Sequence, residues 1–135
     1  MQMISSQSDV KIFLKELKEV LTNPKFDVAK DLDIILNKKD ELPTDPYTTI
    51  NTLQALEFDR YDVLNQLLSL DISEYEETCI DRKGNNSPLL FVFIKTIKTH
   101  DVYIKIKIRD KENCKVLCIS FHFTRYPTST KRPYA

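Results

Sequence analysis

Two alternating segments set the tightest limits on how this chain folds. In Val102-Tyr-Ile-Lys-Ile-Lys-Ile-Arg109, every second residue is a β-branched apolar side chain and the residues between are a phenol and three cations. A strand sends successive side chains to opposite faces, so Val102, Ile104, Ile106 and Ile108 build a core while Tyr103, Lys105, Lys107 and Arg109 face away from it. In the second segment, 116–124, Leu117, Ile119, Phe121 and Phe123 alternate with Cys118, Ser120, His122 and Thr124. Paired as a hairpin, the two segments carry Tyr103 and His122 on one sheet face, opposite the apolar positions.

The remaining pattern places helices before these strands. Apolar residues at Val10, Phe13, Leu14, Leu17, Val20 and Leu21 fit a helix over 8–22, capped by Ser8 or Asp9 and stopped at Asn23-Pro24. Residues 26–37 fit a helix through Phe26, Ala29, Leu32, Ile35 and Leu36, and equally a short strand over 32–36. The Pro, Asp and Thr of 40–49 mark a connecting loop. A short helix over 49–56 follows, with Ile50, Leu53 and Leu56 on one side, then a longer one over 60–70 capped by Asp59. Ser73 with Glu76 reads as a capping box opening another helical turn. The single glycine lies in a loop at 83–88, after which 89–97, 101–109 and 115–123 are strand-like with hairpin-length connections, an antiparallel meander. The expected architecture is a single α+β domain over 1–135: helices over 1–80, a small antiparallel sheet over 88–124 and a loose tail at 128–135.

Composition narrows the chemistry. The longest apolar run is six residues, Leu89 to Ile94, well short of the roughly 18 needed for a membrane span, and residues 1–20 are too charged for a signal peptide. A cytoplasmic protein with no membrane partner is expected. The three cysteines, Cys79, Cys114 and Cys118, lack CxxC spacing and accompany only two histidines, so neither a disulfide framework nor a metal or other cofactor is expected. The formal charge is zero but divided: from Lys95 onward ten basic residues face three acidic ones, a net +7, leaving −7 on residues 1–94. A basic sheet suits a polyanion, and equally a solvated face whose lysines block edge-to-edge pairing.

Several fragments occur in a recognisable order: Thr52-Leu53-x-x-Leu56, Asp62-Val63 leading to Leu67-x-x-Leu70, Phe93-x-Lys95, Val102-Tyr-Ile-Lys105, and Cys118-Ile-Ser-Phe-His122 followed by Arg125-Tyr-Pro127. Over roughly residues 48–127 the chain resembles the MqsR (motility quorum-sensing regulator) toxins of bacterial type II toxin–antitoxin systems. The resemblance implies a RelE-like microbial ribonuclease fold, metal-independent endonucleolytic cleavage of mRNA (an mRNA interferase), and an antitoxin partner encoded by the adjacent gene. Its departures are specific: His122 stands where the family's last strand carries lysine, and Glu77 and Leu90 fall where it carries a lysine and a glutamine.

Such a hydrolase needs a base for the ribose 2′-hydroxyl, an acid for the leaving 5′-oxygen, and cations to offset charge on the transition state. The candidates are His122 and Tyr103 for proton transfer with Lys95 as their catalytic electrostatic partner, and Lys105, Lys107, Arg125 and Tyr126 as RNA-binding groups that grip phosphate or stack a base. Each has a plainer reading: Tyr103 as a cross-strand packing aromatic, His122 as a strand-end hydrogen-bonding group, Lys95 as a surface lysine. Cys118 and Ser120 fall on the His122 face by alternation, without an acid or oxyanion element for nucleophilic catalysis. A non-catalytic protein-interaction or RNA-binding module of the same fold is the alternative function.

Overall fold

The computed structural model describes residues 2–82, 89–126 and 131–135. The glycine-containing loop expected at 83–88, Pro127 and the first part of the expected loose tail lie outside the described residues. The fold is α+β: a six-stranded mixed sheet in the order β1-β3-β4-β5-β6-β2 with its helices against one face. The elements are β1 (Gln2–Met3), α1 (Gln7–Thr22), α2 (Val28–Asp31), β2 (Leu32–Ile34), α3 (Thr49–Leu56), α4 (Arg60–Leu68), β3 (Tyr75–Ile80), β4 (Leu89–Ile97), β5 (His100–Asp110) and β6 (Lys115–Phe123). Among the described residues no helix is long and apolar enough to cross a membrane.

The helix on residues 7–22 forms as its periodicity dictates, except that Ser6 rather than Ser8 or Asp9 caps it, accepting from the Asp9 N–H at 3.1 Å. Val10, Phe13, Leu17, Val20 and Leu21 are buried, and the Phe13 ring stacks on Phe91 of β4 with centroids 4.0 Å apart. The ambiguous stretch is neither wholly helix nor wholly strand. One turn of α2 runs directly into β2, which pairs parallel to β6, Leu32 opposite Val116 and Ile34 opposite Cys118. The sheet is therefore mixed, not the small antiparallel one expected, although the β4-β5-β6 meander is present.

Residues 73–78 overturn a second expectation. Asp71 and Glu74, not Ser73 and Glu76, make the capping box, and it closes only the 3-10 turn Ile72–Glu74. From Tyr75 the chain is strand β3, antiparallel to β4, because Tyr75 and Thr78 bury fully on the helix-covered face opposite Phe93 and Phe91. Tertiary pairing overrides a local helical signal there. The tail is likewise less loose than expected at its end: Tyr134 stacks on Tyr75 with centroids 5.8 Å apart, and its hydroxyl donates to the Ser5 carbonyl.

A short β2 leaves a problem that α3 solves. Beyond Cys118, among the described residues, no strand lies on the outer edge of β6 away from β5, and the threonines of α3 take over as acceptors: Thr49 Oγ1 from the Phe121 N–H at 3.2 Å and Thr52 Oγ1 from the Phe123 N–H at 3.0 Å. Hence Thr49 and Thr52 are buried beside Leu53 and Leu56, while Ile50, expected on the inner side, is exposed. Thr52→Val keeps the shape but leaves the half-buried Phe123 N–H unpaired, so we expect a loss of about 1 kcal/mol. An unchanged urea midpoint would contradict this account of the β6 edge.

Candidate functional site

The face of β5 that turns away from the helices carries Tyr103, Lys105 and Lys107, as alternation requires. Along β6 the alternation breaks. Lys105 pairs with Ser120 and Ile106 with Cys118, so Ile119 is an extra residue in a β-bulge that changes which positions face the helices. Val116 and Cys118 lie in the helix-covered core before the bulge, and Phe121 and Phe123 pack there after it. Cys118 therefore does not share a face with His122, as strict alternation had it. Its thiol is fully buried and pushed up to about 12 by that burial, an inert core group.

The same bulge leaves Ser120 and His122 on the open face as partners of Lys105 and Tyr103. Two rungs result, Tyr103 beside His122 and Lys105 beside Ser120, about 7 Å apart along the strands. The Tyr103 and His122 rings stack with centroids 5.2 Å apart and planes 15° from parallel. His122 Nδ1 lies 3.0 Å from the Phe123 carbonyl, which only accepts; Nδ1 therefore carries the proton, and the neutral ring keeps its lone pair on Nε2. Burial, aided by the Lys38 and Arg125 charges against the Phe123 carbonyl and Glu41, holds the imidazole below its usual 6.5. Burial, with Cys79, Glu77 and Glu76 adding to it, pushes the Tyr103 phenol well up. Near pH 7 the pair is thus a neutral base beside a protonated phenol.

Beneath it, Cys79, Leu90 and Val92 pack with Tyr103 and Ile119 into a small apolar cluster. Leu90 is one of the two positions departing from the resembled family, and here it is part of the floor that holds Tyr103 in place. The other, Glu77, is the register partner of Val92, accepts weakly from the Cys79 thiol at 3.5 Å and adds to the upward push on the Tyr103 phenol.

The other expected cations scatter. Lys95 is not part of this face: it pairs with the core residue Val102, and its ammonium points among the helices, 3.2 Å from Glu74 Oε2 and 3.2 Å from the Ser69 carbonyl. The Phe93-x-Lys95 spacing put it two residues from a core phenylalanine and so on the helix side, where a carboxylate was waiting. Lys107 is on the expected face but is buried, 2.7 Å from Asp81 Oδ2. Arg125 lies at the end of β6 with its guanidinium 2.6 Å from Asp45 Oδ2 and 5.0 Å from the centre of the Tyr47 ring. Tyr126 is exposed.

The residue that sequence reasoning missed is Lys38. It sits in the loop that follows β2, and its ammonium reaches 2.6 Å from Ser120 Oγ on the open face. Its backbone N–H donates to Glu41 Oε1 at 2.7 Å, a local closure that sets the loop's path. Only the parallel placement of β2 beside β6 brings this loop to the site, so no local signal announced it. Among the described residues no three or more His, Cys, Asp or Glu side chains converge as a group able to hold a metal ion. In comparison with known proteins, the chain matches no family model, no curated protein and no solved structure.

Proposed function

We propose that this protein is a metal-independent endoribonuclease that cleaves mRNA, with a RelE-like fold and the role of toxin in a type II toxin–antitoxin pair. The observation that carries the reading is the stacked Tyr103–His122 rung: a neutral imidazole with its lone pair on Nε2 against a phenol that keeps its proton. His122 Nε2 takes the 2′-hydroxyl proton, the 2′-oxygen attacks the adjacent phosphorus, and Tyr103 donates to the departing 5′-oxygen or to a phosphate oxygen. The products are a 2′,3′-cyclic phosphate and a free 5′-hydroxyl, with no water consumed in this step. Lys105, one rung away, offsets the charge that builds on the phosphate oxygens. Arg125 and the exposed Tyr126, just past the end of β6, supply a phosphate contact and a ring on which a base stacks. Lys95, turned to the helices, and Lys107, held by Asp81, drop out of the machinery.

The test is cleavage of single-stranded RNA by purified protein in EDTA. Discrete cuts ending in cyclic phosphate are expected, and the same oligonucleotide with 2′-deoxy sugars should stay whole. Intact RNA after long incubation would reject the enzyme. Expression without the neighbouring gene's product should arrest bacterial growth, since that product is the proposed antitoxin.

A second reading, an RNA-binding module without cleavage, draws on Leu90, which stands in the apolar floor under Tyr103 where the resembled family carries a glutamine. It predicts salt-sensitive RNA affinity with the RNA recovered intact.

A further inference from the structure

Six cations of this protein are answered by carboxylates: Lys95 by Glu74, Lys107 by Asp81, Arg109 by Asp33, Lys111 by Glu16, Lys115 by Asp31 and Arg125 by Asp45. Lys38 and Lys105 are not among them, and unlike the exposed Lys11, Lys15 and Lys18 of α1 both are half-buried. Among the described residues neither ammonium forms an ion pair, and the two charges are close enough to act on one another. Lys105 is the register partner of Ser120, whose Cβ stands about 5 Å away on the same face, and Lys38 reaches the Ser120 hydroxyl from the loop beyond β2. One half-buried lysine thus reaches a buried serine whose cross-strand partner is a second half-buried lysine.

A fold gains nothing by crowding two cations. Burial and the nearby Lys105 both push the Lys38 ammonium below its usual range, against the pull of Glu41. Glu41 accepts the Lys38 backbone N–H and, among the described residues, makes no ion pair with the ammonium. What would satisfy both lysines is an anion between them with several acceptor oxygens, placed one rung from the Tyr103–His122 pair.

We propose that Lys38 and Lys105 form a phosphate-binding clamp for the RNA strand, with the loop after β2 supplying its second jaw. The proposal rests on the reading of this face as an RNA site and adds a residue from outside the resembled segment. The clamp holds one phosphodiester with a charge from each side, while Ser120 keeps Lys38 extended across the face.

The test uses a 2′-O-methyl RNA oligonucleotide, which cannot be cut, so binding is read whether or not the protein is an enzyme. Lys38→Met keeps the apolar stem and removes the charge. Its affinity should fall about tenfold or more, and the slope of log K against log salt should shrink by about 0.7, one phosphate contact on a single strand. Lys38→Arg should retain the wild-type slope. The His122 imidazole provides a second readout, followed by NMR titration. Facing it are Lys38, Glu41 and Asp45 from the loop, Arg125 beyond β6, and Tyr103 with Lys105 from β5. Removing the Lys38 charge makes protonation easier, so the titration should move up in the methionine variant. An unchanged salt slope in Lys38→Met, an equal loss of slope in Lys38→Arg, or no binding by the wild type would each overturn the clamp. Binding that behaves as described in a protein that cuts no RNA would reject the enzyme and keep the clamp.

Discussion

Replacing His122 by alanine is expected to lower RNA cleavage by roughly 10²–10⁴-fold, the usual contribution of a positioned proton-transfer group. The hydrogen bond to the Phe123 carbonyl pins the tautomer, and the stack on Tyr103 pins the ring plane, so Nε2 presents its lone pair at one place on the open face. His122→Gln, which keeps a polar side chain of similar reach but no titrating base, should be nearly as inactive. Tyr103→Phe preserves the stack and the apolar floor and removes only the hydroxyl; cleavage should fall while RNA affinity changes little. The pH profile has a definite sign. A base works only when unprotonated, so activity disappears as pH falls through the imidazole pKa. Since burial holds that pKa below 6.5, the acid limb should lie below pH 6.5. An acid limb above that value, or full activity in His122→Ala, would remove His122 from the mechanism.

The largest stability effect is expected at Phe13. Its ring is buried, stacks on Phe91 and lies 6.3 Å from Phe93, and so fastens α1 to the centre of the sheet. Phe13→Ala deletes a buried aromatic at a place where a helix and a strand hold the cavity walls apart, which costs about 3–5 kcal/mol. That is a large share of the stability of a domain this size. Phe13→Leu, which refills part of the volume, should recover much of the loss, and urea unfolding measures both. A loss below 1 kcal/mol for the alanine variant would mean that α1 is not anchored through this stack.

The exposed Ile12 on the same helix provides the contrast. It turns away from the sheet, and its truncation removes little buried area.

Much of this could be read in one dimension. Helices α1, α3 and α4 and strands β4, β5 and β6 follow from periodicity and capping chemistry, because the polarity of each position reports its own environment. That Tyr103 and His122 share a sheet face follows too, since β5 and β6 are joined by a short connection and both residues alternate with apolar ones. The readings that changed all depended on neighbours far along the chain. Residues 75–80 are a strand because β4 lies beside them, despite a capping signal two residues off register. Residues 28–34 resolve into α2 and β2 because the edge of β6 accepts a parallel partner.

The site divides in the same way. Alternation alone put Tyr103 and Lys105 on one face, and a period of two needs nothing beyond the local chain. One inserted residue, Ile119, then moved Cys118 into the core and left Ser120 and His122 opposite Lys105 and Tyr103. Whether a lysine is available is a property of what stands within about 4 Å of its ammonium, and spacing does not encode that. Glu74 took Lys95, Asp81 took Lys107, and the loop after β2 brought Lys38 across to Ser120 from 82 residues away. Side-chain direction along a strand is local and was legible in the chain; register, bulges and ion pairing join distant residues, and only the folded structure decided them.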